Sequence, residues 1–292
     1  MDDLRSIIFI TAHDPWNRID ILLETLRGYN EIPGLKDVVV HIDWGSRESQ
    51  SLLEQVLKEE FSFNDMSVVV AAERYEGFTL TWAHKQALKD LIKRKAYDIY
   101  IYTENDILFK SEHFVYWYSW KDRLKRLNLE PGFCRYEKFE DKFVPFDNHR
   151  VWNLKGQTKA VWGERPYTCD LLLTPLDENL GFVSLGNPYS GMMILDQEMA
   201  DVYVNSPSSD PVESIERVSF RCWPIADRSS LGTAFENLLP NQDHRRVVPL
   251  ILNEGKVTIA PYGLLEHMDT KYSSELSQKL NSVLDITEMF EL

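Results

Sequence analysis

The sequence predicts an α/β fold, a mainly parallel sheet flanked by helices, followed by a smaller C-terminal half. Two observations carry this. Four apolar runs of strand length alternate with segments whose apolar residues recur at helical spacing. Each of those runs ends in a polar cluster. Strands separated by helices call for right-handed crossovers and hence parallel neighbours.

The elements follow in order. "SIIFITA" (Ser6–Ala12) is a continuous apolar run, and Asp14-Pro15 makes a turn after it. "WNRIDILLETLRGY" (Trp16–Tyr29) then places Ile19, Leu22, Leu23 and Leu26 on one helical face. "KDVVVHIDWGS" (Lys36–Ser46) reads as a second strand closing in a Gly-Ser turn, and Glu48–Phe61 as a second helix. Met66–Glu73 is a third strand and Thr81–Lys95 a third helix. "YDIYIYTENDILFK" (Tyr97–Lys110) is the fourth strand, running from aromatic and β-branched residues into Glu104, Asn105 and Asp106. Beyond it the pattern loosens. Ser111–Leu127 reads as a helix, Gly132–Phe139 as a strand, Pro188–Val204 as a short strand leading into a helix, and Ser229–Leu239 as another helix. The expected organisation is a ligand-binding half over residues 1–110, with 111–292 completing the same compact domain.

The 292 residues, 43% hydrophobic and 12% aromatic, suffice for a substantial core. A formal charge of −14 argues against nucleic acid and anionic lipid as partners. It leaves room for an anionic small molecule if a divalent cation supplies local positive charge. Cys134, Cys169 and Cys222 are far apart and form no C-x-x-C, as expected of reduced thiols in a cytosolic compartment. No run approaches the length needed to span a bilayer, and "MDDLRSIIFITAHDP" is not a signal peptide. The expectation is a soluble, cytoplasmic protein.

Ligands of parallel sheets sit beyond the carboxyl ends of the strands. The residues to weigh are therefore Thr11–Asp14, Asp43–Ser46, Glu73–Gly77 and Glu104–Asp106. One polar strand end is an ordinary wet loop; four together point to a shared cleft. Glu104-x-Asp106 offers oxygen donors to a hard cation such as Mg²⁺ or Mn²⁺, and one or two carboxylates suffice where a diphosphate supplies the remainder. Asp43 is placed to accept a hydrogen bond from a base or ribose, while Gly45 and Ser46 fit a tight turn and a helix cap. Arg74 follows the third strand, and Gly77 relieves the backbone before a helix whose N-terminus suits a phosphate. Trp117, Tyr118, Trp120, Trp152 and Trp162 offer faces on which a sugar can stack, although aromatics at such spacings more often build a core.

The order of these parts resembles the glycosyltransferases of the GT-A fold, in particular the nucleotide-sugar-binding half of family 2-like members. "TAHDP" (Thr11–Pro15), "IDWGS" (Ile42–Ser46), Arg74-x-x-Gly77 with Ala83 and Ala87, and "YTENDILF" (Tyr102–Phe109) are the counterparts of its four motifs. The chain departs from the pattern at Trp44, which replaces the second Asp of D-D-G-S, and at Glu104, which replaces the first Asp of D-x-D. "TAFENLL" (Thr233–Leu239) is similar to the family's x-E-D segment with Asn237 in place of its Asp, which leaves Glu236 as the base, or failing it Asp227 or Asp243. "YSGMMILDQE" (Tyr189–Glu198) is similar to the acceptor-side segment, and His267 to a C-terminal histidine that contacts metal or diphosphate.

What the resemblance implies is a metal-dependent sugar transfer. A nucleotide-sugar, with a UDP-sugar favoured, would donate to a glycan or other hydroxyl acceptor, with inversion expected. Asp106, Glu104 and His267 would hold Mn²⁺ or Mg²⁺. Thr11, His13, Asp43, Arg74, Gly77 and Glu104 would bind the donor, and Glu236 would be the catalytic base. The alternatives are a sugar-phosphate nucleotidyltransferase, whose Gly-rich basic signature "TAHDPWNR" lacks, and a noncatalytic carbohydrate-binding protein on the same fold.

Overall fold

The computed structural model describes residues 1–61, 65–75, 77–139, 142–145, 171–173, 180–183, 189, 191–206, 209–210, 246–253 and 256–270. The chain divides into two compact units, Met1–Ser111 with Ser190–Asp243, and Glu112–Tyr189 with His244–Leu292.

The first unit is built on a sheet of β1 (Arg5–Ala12), β2 (Leu35–Asp43), β3 (Met66–Glu73), β4 (Ile99–Glu104) and a later strand, β11 (Met193–Asp196). Their spatial order is β11-β4-β1-β2-β3, with the first four parallel and β11 antiparallel to β4. β1 is apolar along its length because both faces are covered: every residue after Arg5 is buried. On one face Ile7, Phe9, Tyr100, Tyr102, Met193 and Leu195 form a layer with Leu88, Ile92, Ala200 and Tyr203. Those last four come from helices α3 (His84–Arg94) and α5 (Gln197–Val204). Asp196 caps α5, accepting from Met199 N at 2.9 Å.

Helix α1 (Ile19–Asn30) buries Leu22, Leu26 and Tyr29, and Tyr29 stacks on Phe109 at 5.5 Å. Gly28 permits that approach, since a Cβ there would lie 2.5 Å from the Phe109 carbonyl oxygen. After β4 the chain turns through Asn105 and Asp106 into the two-residue strand β5 (Ile107–Leu108).

Helix periodicity places the first three helices but starts them early. The fourth begins at Ser111 as expected, and the helix expected over Ser229–Leu239 lies outside the described residues. α1 begins at Ile19, three positions later than Trp16, and α2 (Gln50–Phe61) and α3 follow 3₁₀ turns at Trp44–Ser49 and Gly77–Trp82. The 3₁₀ spacing of three residues buries side chains at nearly the helical interval, so hydrophobicity does not separate the two.

In the second unit, α4 (Ser111–Lys125, from Glu112 onward) precedes β6 (Glu130–Pro131), β7 (Cys134–Phe139), β8 (Lys142–Pro145), β9 (Leu171–Leu173) and β10 (Leu180–Val183). β12 (Arg246–Asn253), β13 (Lys256–Ile259) and β14 (Leu264–His267) follow. β13-β12-β10-β9 is antiparallel, with β6 pairing in parallel with Arg246 and Val247 at the start of β12. β14 pairs parallel with β7, and β8 antiparallel with β7. Trp117 is a core residue, fully enclosed, and Trp120 packs on Phe182 at 4.9 Å. Tyr118 is half-buried and stacks on Phe114 at 5.9 Å. Trp152 and Trp162 lie outside the described residues, as do Cys169 and Cys222. Among the described residues no helix is long and apolar enough to cross a membrane.

Candidate functional site

The strand order places the site. From β1 the chain steps outward to β2 and β3, then returns across β1 to form β4. The direction of winding reverses between β1 and β4, and at such a reversal the connections leave the carboxyl edge in opposite directions and open a crevice. The register fixes which residues line that edge. Thr11 is level with both Glu104 and His41, and two residues further along Asp43 is level with Glu73. Thr11, Asp43, Glu73 and Glu104 therefore share one face of the sheet at its carboxyl end.

The loop from β1 to α1 reaches acids on both sides of its own strand. His13 Nδ1 lies 2.7 Å from Asp43 Oδ2 at the end of β2. Arg18 Nη2 lies 3.1 Å from Asp106 Oδ2, just beyond β4, and so spans the crevice. Asp14, at φ +49°, turns the chain between them, and its carboxylate accepts from Asn17 Nδ2 at 2.6 Å. Aspartate is among the few residues that adopt this conformation readily. Exposure differs across the pairs: the side chain of His13 is 64% exposed and that of Asp43 12%, against 25% for Arg18 and 6% for Asp106.

Beneath this rim lies a second polar layer. His41 Nδ1 is 2.8 Å from Glu73 Oε1, with the imidazole buried and stacked on Phe9 at 5.7 Å. His84 is fully buried and stacks on Tyr102 at 3.9 Å. Thr11 Oγ1 lies 3.5 Å from the Tyr102 hydroxyl. Burial, with Lys85 and then His41 close by, holds the His84 imidazole well below the ordinary histidine range. Among the described residues neither His84 nitrogen has a well-formed hydrogen-bond partner, and the Thr81 backbone lies nearby. Lys85 is equally buried, its ammonium 3.4 Å from the Tyr203 hydroxyl.

The residues singled out from sequence fall into three groups. Thr11, His13, Asp43, Glu104 and Asp106 gather at the carboxyl end of the first sheet. Arg74 is exposed immediately after β3, and Gly77, at φ +53°, opens the 3₁₀ turn that precedes α3. The start of α3 itself is enclosed, with His84 and Lys85 both buried. His267 belongs to the second unit, where its Nδ1 lies 2.7 Å from Glu137 Oε1 and both side chains are buried. Glu236, Asp227 and Asp243 lie outside the described residues.

Four participants were not singled out. Arg18, His41, His84 and Lys85 meet the rim or its underside through contacts distant in sequence. Only His41 carried a signal, standing two residues before Asp43 and hence on the same face of β2. Trp44, 43% exposed, has the Arg47 guanidinium 4.4 Å from its ring centre. Among the described residues no three His, Cys, Asp or Glu side chains converge closely enough to enclose a metal ion by themselves. No protein-family profile matches the chain, and no curated protein matches it.

Proposed function

We propose that the first unit is the donor-binding half of a metal-dependent glycosyltransferase of GT-A type, acting on a nucleotide-sugar, with a UDP-sugar favoured, and a hydroxyl acceptor such as a glycan. One observation carries the reading. The reversal of winding between β1 and β4 coincides with the acidic end of β4 and the polar end of β1, where Thr11 and Glu104 are level.

The donor set suits a hard cation. Glu104 and Asp106 supply carboxylate oxygens, and Mn²⁺ or Mg²⁺ takes one or two of these together with phosphate oxygens. An ion bound there would act as a Lewis acid toward the departing diphosphate. The chain's own groups do the rest. Arg18, with its Nη2 3.1 Å from Asp106 Oδ2, fixes the position of that carboxylate. Asp43 and Arg74 bind nucleotide, with Thr11 and Gly77 at the same edge, and Glu236 takes the proton of the acceptor hydroxyl.

The test is a panel of UDP- and GDP-sugars with Mn²⁺, following release of the nucleotide. Asp106→Asn is expected to abolish metal-dependent donor binding. Glu236→Gln is expected to leave binding intact and to slow turnover by about 10²–10⁴-fold, the usual weight of a general base. No release from any donor, together with no thermal shift on adding metal, overturns the enzyme reading in favour of a noncatalytic binding protein.

A further inference from the structure

The pair formed by His13 and Asp43 has a geometry beyond what binding a nucleotide requires. Asp43 is almost enclosed at the end of β2, and its Oδ2 meets His13 Nδ1 at 2.7 Å. The imidazole projects from the loop with most of its surface open. A carboxylate on Nδ1 fixes the ring's orientation and places a proton on that nitrogen. Nε2 sits on the opposite edge of the ring, turned away from Asp43. An exposed imidazole oriented by an enclosed acid is the arrangement used to move protons at a reacting centre.

Position adds a second argument. His13 follows β1, the strand that borders the reversal of winding, and stands on the loop that also carries Arg18 to Asp106. The loop thus brings the Arg18 guanidinium and the His13 imidazole to an edge that also carries Asp43, Glu73, Glu104 and Asp106. An edge of carboxylates alone repels a diphosphate. One that also presents a directed N–H can meet the oxygen on which charge develops as the sugar departs.

We propose that His13, held by Asp43, is the general acid for the leaving diphosphate. This rests on the sugar-transfer reading above and adds a residue to it. As the acceptor oxygen bonds to the anomeric carbon, the bond from that carbon to the phosphate oxygen breaks and its electron pair stays on the oxygen. The proton on Nε2 passes to that oxygen, leaving His13 neutral, with the remaining proton on Nδ1 and donated in a hydrogen bond to Asp43 Oδ2. The acceptor's proton goes to Glu236, so that one proton is given and one taken.

Two measurements on the full chain test this. In long-range ¹H–¹⁵N spectra, with His13→Gln identifying the signals, addition of UDP and Mg²⁺ is expected to shift the His13 Nε2 resonance. With nucleotide-sugar, His13→Gln is expected to lower kcat by about 10²–10⁴-fold and to change KM by no more than about threefold, the signature of a contact made in the transition state. Asp43→Asn should reproduce part of the loss in kcat. Bound UDP that leaves the His13 signals unmoved, or a His13→Gln variant with wild-type kcat, overturns the proposal while sugar transfer stands. A wild-type protein inert toward every donor overturns the transfer reading, and the acid step with it.

Discussion

Two histidine–carboxylate pairs in this protein have the same length and opposite surroundings. His13 and Asp43 meet at 2.7 Å on the rim of the first sheet, with the imidazole open to solvent. His267 and Glu137 meet at 2.7 Å inside the second unit, with neither side chain exposed. The distance therefore says nothing about role, and the surroundings say nearly everything. In the interior each partner is the other's substitute for water, so removing one strands a polar group in a medium that cannot solvate it. On the rim the pair adds little to folding, because water competes for the open imidazole, and what remains is control over where that ring points.

The largest expected effect comes from breaking the interior pair. Glu137→Ala should cost about 3–5 kcal/mol of unfolding free energy, read from denaturant midpoints at unchanged slope. A loss below about 1 kcal/mol would show that the two pairs are energetically alike and that burial is not what separates them.

An intermediate case sharpens the contrast, because His84 is as enclosed as His267 but has, among the described residues, no carboxylate partner in hydrogen-bond reach. Its burial holds the imidazole well below the ordinary value. In the unfolded chain that ring takes up a proton below about pH 6.5, which the folded protein resists. The unfolded state then binds more protons, so the contribution of His84 to stability is complete above that pH and is lost progressively as pH falls below it. His84→Phe keeps an aromatic ring against Tyr102 and removes two poorly satisfied nitrogens. It is expected to raise stability at neutral pH by about 1 kcal/mol and to flatten the acid limb of the stability profile. An unchanged acid limb would move the acid sensitivity to another group.

The smallest expected effect belongs to the rim. His13→Gln should change unfolding free energy by less than about 0.5 kcal/mol. Set beside the kinetic loss expected of the same variant, this outcome would make the rim pair a device for chemistry and the interior pair one for folding. A destabilisation comparable to that of Glu137→Ala would erase the distinction.

Much of the first unit was legible because its determinants are local. Continuous apolar runs mark β1 to β4, and the bounds of β3 agree to the residue. The polar strand ends were legible for the same reason, since alternation along a strand tells which residues share a face. The partners of those strand ends were not. Arg18 meets Asp106 across 88 positions, and Lys85 meets Tyr203 across 118. No periodicity within an element encodes such a meeting, which depends on how crossovers stack. His84 and Lys85 are the clearest instance. Polar residues near a helix start read as solvated, yet the 3₁₀ turn of Gly77–Trp82 shifts the start of α3, whose first residues are enclosed. Among the aromatics, sequence left sugar platform and core as alternatives, and the enclosure of Trp117 places it in the core.

β11 carries a consequence for how this protein can be divided. It pairs with β4 along Met193–Asp196, after the chain has passed through residues 112–189 and come back. The intervening stretch is therefore tethered at both ends, like a passage in parentheses. A fragment stopped at Ser111 would carry every polar strand end of the first sheet but would leave one margin of β4 without a neighbour. Its Tyr100 and Tyr102 would lose Met193 and Leu195, and a bare apolar strand margin invites pairing with a second copy. The first unit is then isolated by joining Met1–Ser111 to Ser190–Asp243 and leaving out both 112–189 and 244–292, and not by ending the chain where the first four strands end.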